Sequence, residues 1–107
     1  MFNYIRVPTG LETELRTMRL VRLFGKESIL SVLRIWSFAA QYKPDGKFPN
    51  YSLEDIGLIG KCKEGDEESF AIALIDYDFI QSDDLGFSIK GWENIRPLDF
   101  ERPPKSK

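Results

Sequence analysis

Apolar residues along the chain first recur at helical spacing between residues 9 and 24. Leu11, Leu15, Met18, Val21 and the Leu20/Phe24 pair fall three or four apart, the repeat that builds one face of a helix. Phe2 to Pro8 reads as a short extended piece, apolar at Tyr4 and Val7 and ended by Pro8. Thr9 followed by Glu12 has the spacing of a capping box, in which hydroxyl and carboxylate satisfy orphan amides at a helix start. Gly25 is a natural stop for that helix. A second helix is expected from Glu27 to Gln41. Its apolar residues, among them Ile29, Val32, Ile35, Trp36 and Ala39, cover most of the circumference, as in a central helix buried on several sides.

Lys43-Pro44-Asp45-Gly46 ends the second helix, because Pro44 disfavours helical backbone at Lys43 and Asp-Gly supplies a turn. Lys47-Phe48-Pro49 has room for one short strand. Ser52, with Asp55 three residues on, caps a brief third helix that turns Leu53, Ile56 and Ile59 inward. After a loop over residues 60–65, Asp66 opens a fourth helix to about Tyr77. Phe70, Ala71, Leu74, Ile75 and Tyr77 form its covered side, and Glu67, Glu68 and Asp76 stay in water. Phe79 to Ser82, the turn Asp83-Asp84-Leu85-Gly86 and Phe87 to Lys90 then read as strand, turn, strand. Phe87 and Ile89 are expected on the covered face, Ser88 and Lys90 on the open one. Gly91-Trp92 follows as an anchor.

That order predicts an α+β fold, mainly helical, of the winged helix-turn-helix type: an extra N-terminal helix, a three-helix core and a C-terminal β-hairpin wing. The fourth helix would occupy the recognition position. Residues 1–95 form the expected domain, and residues 96–107, with three prolines and a Lys-Ser-Lys ending, a flexible C-terminal tail.

Particular stretches also resemble a known family. Leu30-Ser31-Val32-Leu33-Arg34-Ile35-Trp36-Ser37-Phe38-Ala39 followed by Tyr42-Lys43-Pro44-Asp45-Gly46 is similar to the tryptophan helix and Pro-Asp-Gly turn of phage and prophage replisome organisers. Ser52-Leu53-Glu54-Asp55-Ile56, Gly65-Asp66-Glu67-Glu68-Ser69-Phe70 and Gly86-Phe87-Ser88-Ile89-Lys90-Gly91-Trp92-Glu93 resemble later segments of the same N-terminal domain. The resemblance spans roughly residues 2–95. It implies a DNA-binding winged-helix domain of a phage-type replication or regulatory protein, like the N-terminal part of the replisome organisers, which bind origin DNA and recruit replication proteins.

Composition fits a single globular domain, with 107 residues, 42% hydrophobic and 30% charged. No apolar run approaches the roughly 20 residues of a membrane span, and the first residues lack a signal-peptide pattern, so a cytoplasmic protein without membrane contact is expected. The formal charge of -2 is unevenly spread: residues 1–50 hold eight Lys/Arg and four Asp/Glu, residues 51–107 seven and thirteen. Such asymmetry can mark two different contact surfaces, or simply a solvated exterior.

Catalytic signatures are missing. The sequence has no histidine and a single cysteine, Cys62, which removes the commonest general base and any Cys–His nucleophile, and rules out an internal disulfide or a zinc site of several thiolates. No glycine-rich phosphate loop is present. Glu54/Asp55 and Glu67/Glu68 are adjacent on helices and diverge, so helix N-terminal carboxylates are the simpler reading. Asp83/Asp84 read as turn residues. A non-enzymatic protein without cofactor or metal is expected.

Nucleic-acid binding needs cations placed to neutralise phosphates. The candidates are Lys61 and Lys63 before the fourth helix, Lys90 on the wing, and Ser69 as a donor in the fourth helix's first turns. Arg19 and Arg22, in line with Lys26, form a basic stripe along the first helix, unless they are merely its solvated side. Asp66-Glu67-Glu68 would oppose phosphates where groove readers usually carry Arg, Asn or Gln. Against that, the flanking cations and the resemblance make duplex DNA the expected partner, with replication proteins and a homodimer as further ones. The alternative is a winged-helix protein–protein module, dimerising or docking without direct DNA contact, which exposed aromatics such as Phe2, Tyr51 or Phe100 would favour.

Overall fold

The apolar circumference of the second helix is explained by its place in the structure. Residues 5–97 are described by the computed structural model, and in them α2 (Glu27–Tyr42) runs between α1 (Leu15–Phe24) and α3 (Leu53–Gly60). Val32, Ile35, Trp36 and Ala39 of α2 are buried, with Ser28, Ser31 and Ser37 beside them. The small residues set the spacing to α3: a Cβ added to Gly60 would stand 3.3 Å from both Ser31 Cβ and Ile35 Cδ1. At Lys43 the helix stops, and Gly46, at φ 73°, turns the chain into β1 (Lys47–Pro49).

Ser52 caps α3 as its spacing requires. Its hydroxyl accepts from the Asp55 amide at 3.1 Å, and the Asp55 carboxylate accepts from the Ser52 amide at 2.9 Å, a reciprocal pair that satisfies two orphan donors. The fourth helix, α4 (Glu67–Asp76), packs closely on α3 and buries Phe70, Ala71, Ala73 and Leu74. The chain then forms β2 (Ile80–Ser82), β3 (Gly86–Ile89) and a closing turn of helix, α5 (Trp92–Ile95). β3 lies between β1 and β2, antiparallel to both, with Phe48 opposite Phe87 and Ile80 opposite Ile89. One core joins helices and sheet; Trp36, Phe48, Phe70 and Phe79 are all but fully enclosed, each contributing about 1.5–3 kcal/mol relative to exposure. The result is a small compact α+β domain, mainly helical, with a three-stranded antiparallel sheet, an arrangement compatible with a winged helix.

Several details differ from the expectations drawn from sequence. Thr9 and Glu12 form no capping box: Gly10 is left-handed at φ 78°, Leu11–Thr13 make a single 3-10 turn, and the Thr13 hydroxyl donates to the Gly10 carbonyl at 2.8 Å. The first helix therefore starts at Leu15, and Leu15 and Met18 face outward while Thr17 and Leu20 are buried. Ile5, not Val7, is the buried residue of the opening stretch, which makes no strand over residues 5–8. It is tied down instead by Arg6, whose amide donates to the Ile95 carbonyl and whose guanidinium donates to the carbonyls of Arg96 and Glu93. Ser88 is buried, because β3 is the central strand. Tyr51 is half-buried, edge-on to Phe48 at 5.2 Å. Phe2, Tyr4, Phe100 and the tail from residue 98 lie outside the described residues.

Candidate nucleic-acid interface

The loop between α3 and α4 is fixed by two local features. Lys61 takes a left-handed backbone at φ 56°, sending its amide to the Leu58 carbonyl at 3.0 Å and reversing the chain. Arg34, reaching over from α2, donates from Nη1 to the Gly60 carbonyl at 3.3 Å. A groove of about 650 Å³ opens between this loop, the end of α1 and the first half of α2. Phe24 and Phe70, edge to face at 5.2 Å, stand at its base, with Leu23 and Leu30 at its lip. Arg34, Lys61 and Lys63 line it as cations, against the carboxylates of Glu27 and Asp66.

Cys62 also lines this groove, half-buried and unpaired with another cysteine. Its burial, then the nearby charges of Glu67 and Asp66, push the thiol above its usual range. The group is therefore a poor nucleophile near neutral pH.

The six candidate residues do not converge. Lys61 and Lys63 share the groove. Arg19 and Arg22 are exposed on the outer side of α1 among Leu15, Met18 and Leu23. Lys26 is not part of that stripe's helix, which ends at Phe24 with Gly25 as its cap. Ser69 sits exposed in the first turn of α4, its hydroxyl donating to the Asp66 carbonyl at 3.1 Å. Lys90 lies just past β3, at the base of the hairpin rather than its tip; its amide donates to the Phe79 carbonyl and its ammonium stands 3.8 Å from Asp78. It borders a separate depression shared with Arg16 and Asp78. Arg34 is not among the candidates the sequence suggests, although a signal is there: it is the only charged residue between Glu27 and Lys43.

Electrostatics divide the surface. The outward side of α4 presents Glu68, Ser69, Ile72 and Asp76, all exposed, with no cation among them. The hairpin tip adds Asp83, whose Oδ1 accepts from the Leu85 and Gly86 amides at 2.9 Å each, and exposed Asp84. Among the described residues no group of three or more His, Cys, Asp or Glu side chains is placed to hold a metal ion, and no helix is long and apolar enough to cross a membrane. Comparison with family models, curated proteins and solved structures finds no match to this chain.

Proposed function

We propose that this is a winged-helix domain, binding rather than catalytic, which holds duplex DNA through the cations of the α3–α4 loop. The observation that carries the reading is the state of Lys61 and Lys63. Both are exposed on a loop held by Arg34, and neither is paired with a carboxylate among the described residues. A phosphate seated there breaks no internal bridge. Element order, the β1-β3-β2 sheet and the resemblance to phage replisome organisers support the same reading. The outward face of α4 does not suit a base reader, since Glu68 and Asp76 would meet the phosphate backbone. Binding is therefore directed at the backbone, with little sequence preference.

Fluorescence anisotropy with a labelled duplex over a range of salt tests this. Affinity should fall with salt. Lys61→Ala/Lys63→Ala should weaken binding and flatten the logarithmic salt slope by about two units, near 0.9 for each phosphate no longer neutralised. DNA seated at the groove should also slow labelling of Cys62, the single thiol. No binding at about 50 mM salt, where non-specific binding is strong, or unchanged binding in the double variant, would sink the reading. One specific observation favours a second reading, a protein-interaction module: Leu15, Met18 and Leu23 are 58%, 49% and 59% exposed on one helix, more apolar surface than phosphate binding calls for.

A further inference from the structure

We infer that the outer face of α1 docks on the outer face of α4 in a second copy of this chain. Leu15, Met18, Arg19, Arg22 and Leu23 recur in alternating steps of three and one and are all exposed, so they share one side of α1. The arginines lie within the apolar surface, and neither meets a carboxylate within ion-pair distance among the described residues. On α4, Glu68, Ile72 and Asp76 are spaced four apart along one exposed line, with Ile72 46% open to solvent between two carboxylates. Each face thus has an apolar element and charges, and the signs are opposite. Both helices have ten residues, about 15 Å of axis at 1.5 Å per residue, so the two faces match in length.

The pairing cannot form within one copy. α1 already meets α4 through inner side chains, Phe24 against Phe70 at 5.2 Å, while Arg19 and Arg22 on one helix and Glu68 and Asp76 on the other are exposed. Apposed between copies, Ile72 packs among Leu15, Met18 and Leu23, and the arginines reach the flanking carboxylates. The uneven charge of the two halves of the sequence then has a physical use, a basic helix and an acidic helix that attract each other between copies. Each copy offers one face of each kind, so association proceeds as a closed pair with both interfaces made or as a head-to-tail series. An interface of two short helices is small, and the association is weak.

Sedimentation of the full chain up to about 0.5 mM, at low and high salt, tests this inference independently of DNA. The wild type should associate with rising concentration, less so at high salt. Arg19→Glu/Arg22→Glu and Glu68→Arg/Asp76→Arg should each weaken association about tenfold or more, since like charges then face each other in both. An equimolar mixture of the two variants should regain it, because each reversed face meets its complement. Thermal melts check that both variants stay folded, as four exposed positions allow. Lys61→Ala/Lys63→Ala should leave association unchanged, which separates failure here from failure of the DNA reading. A wild type monomeric throughout, association that survives either reversal, or a mixture that stays monomeric would overturn the inference. A monomeric wild type whose Arg19→Glu/Arg22→Glu variant loses DNA binding would instead assign α1 to DNA.

Discussion

The indole nitrogen of Trp92 donates to the carbonyl of Pro44 at 2.8 Å, across 48 positions of sequence. The same ring fills the space beside Gly46, where an added Cβ would stand 2.6 Å from Trp92 Cγ. The closing helix thereby locks the turn that separates α2 from the sheet. Trp92→Phe keeps most of the ring and removes the bond, so a loss of about 1–2 kcal/mol is expected from urea unfolding. Gly46→Ala adds a clash to a left-handed backbone, and about 2–4 kcal/mol should be lost. Wild-type midpoints for both variants would mean that this lock does not hold the turn.

Gly57 sets two effects against each other. In a helix interior alanine is better than glycine by about 1 kcal/mol. At this position, however, a Cβ would stand 2.5 Å from both Cα and the carbonyl oxygen of Glu67, and backbone cannot swing aside as a flexible side chain can. Steric cost wins, and Gly57→Ala should destabilise by about 1–3 kcal/mol. A stabilised variant would show that α3 and α4 pack less closely than this.

The parts of the fold legible in the sequence are those with local chemistry. Ser52 and Asp55 cap α3 because three residues separate them, and Asp83 holds the hairpin turn with its own carboxylate. The start of α1 is hidden because Leu11 belongs to a separate 3-10 turn, so its spacing to Leu15 does not run through one helix and sets the wrong phase. Burial of Ser88 follows from strand order, which alternation along one strand cannot reveal. The candidate interface is legible only in pieces. Lys61 and Lys63 are close in sequence, but their meeting with Arg34 depends on how α2 crosses α3, and Lys90 falls away because it follows β3 at the base of the hairpin, beside Asp78.

Thr17 is buried in α1, and its hydroxyl has no hydrogen-bond partner among the described residues. An unsatisfied buried hydroxyl carries its desolvation penalty without return. Thr17→Val keeps the branched shape and should stabilise by about 1 kcal/mol, raising Tm by roughly 4–8 °C for a domain of this size. A lower Tm would point to a water that satisfies the hydroxyl.

Cys62 gives a pH-dependent test. Its folded pKa is raised, by burial first and then by Glu67 and Asp66. Below the ordinary thiol range the group is neutral in folded and unfolded chains alike. As pH rises through that range towards the raised value, the unfolded chain loses its proton first, so stability falls over this window. Labelling by a disulfide reagent near pH 8 should be slower than for an unfolded control and accelerate at higher pH. Glu67→Gln should speed it, while burial keeps it below the control; equal rates in all three would remove the raised pKa.

Lys61 couples the local strain of the loop to the proposed DNA interface. It holds a left-handed backbone at φ 56°, a conformation that costs a non-glycine residue roughly 1–2 kcal/mol. A lysine there gives up stability for a cation at the groove. Lys61→Gly relieves the strain and should raise stability by about 1 kcal/mol, yet it should weaken DNA binding and lower the salt slope by about one unit. Thermal unfolding and anisotropy on the same sample read the two effects, which must move in opposite directions. A variant that is more stable and binds DNA as tightly as the wild type would take Lys61 out of the interface and leave its strain without a use.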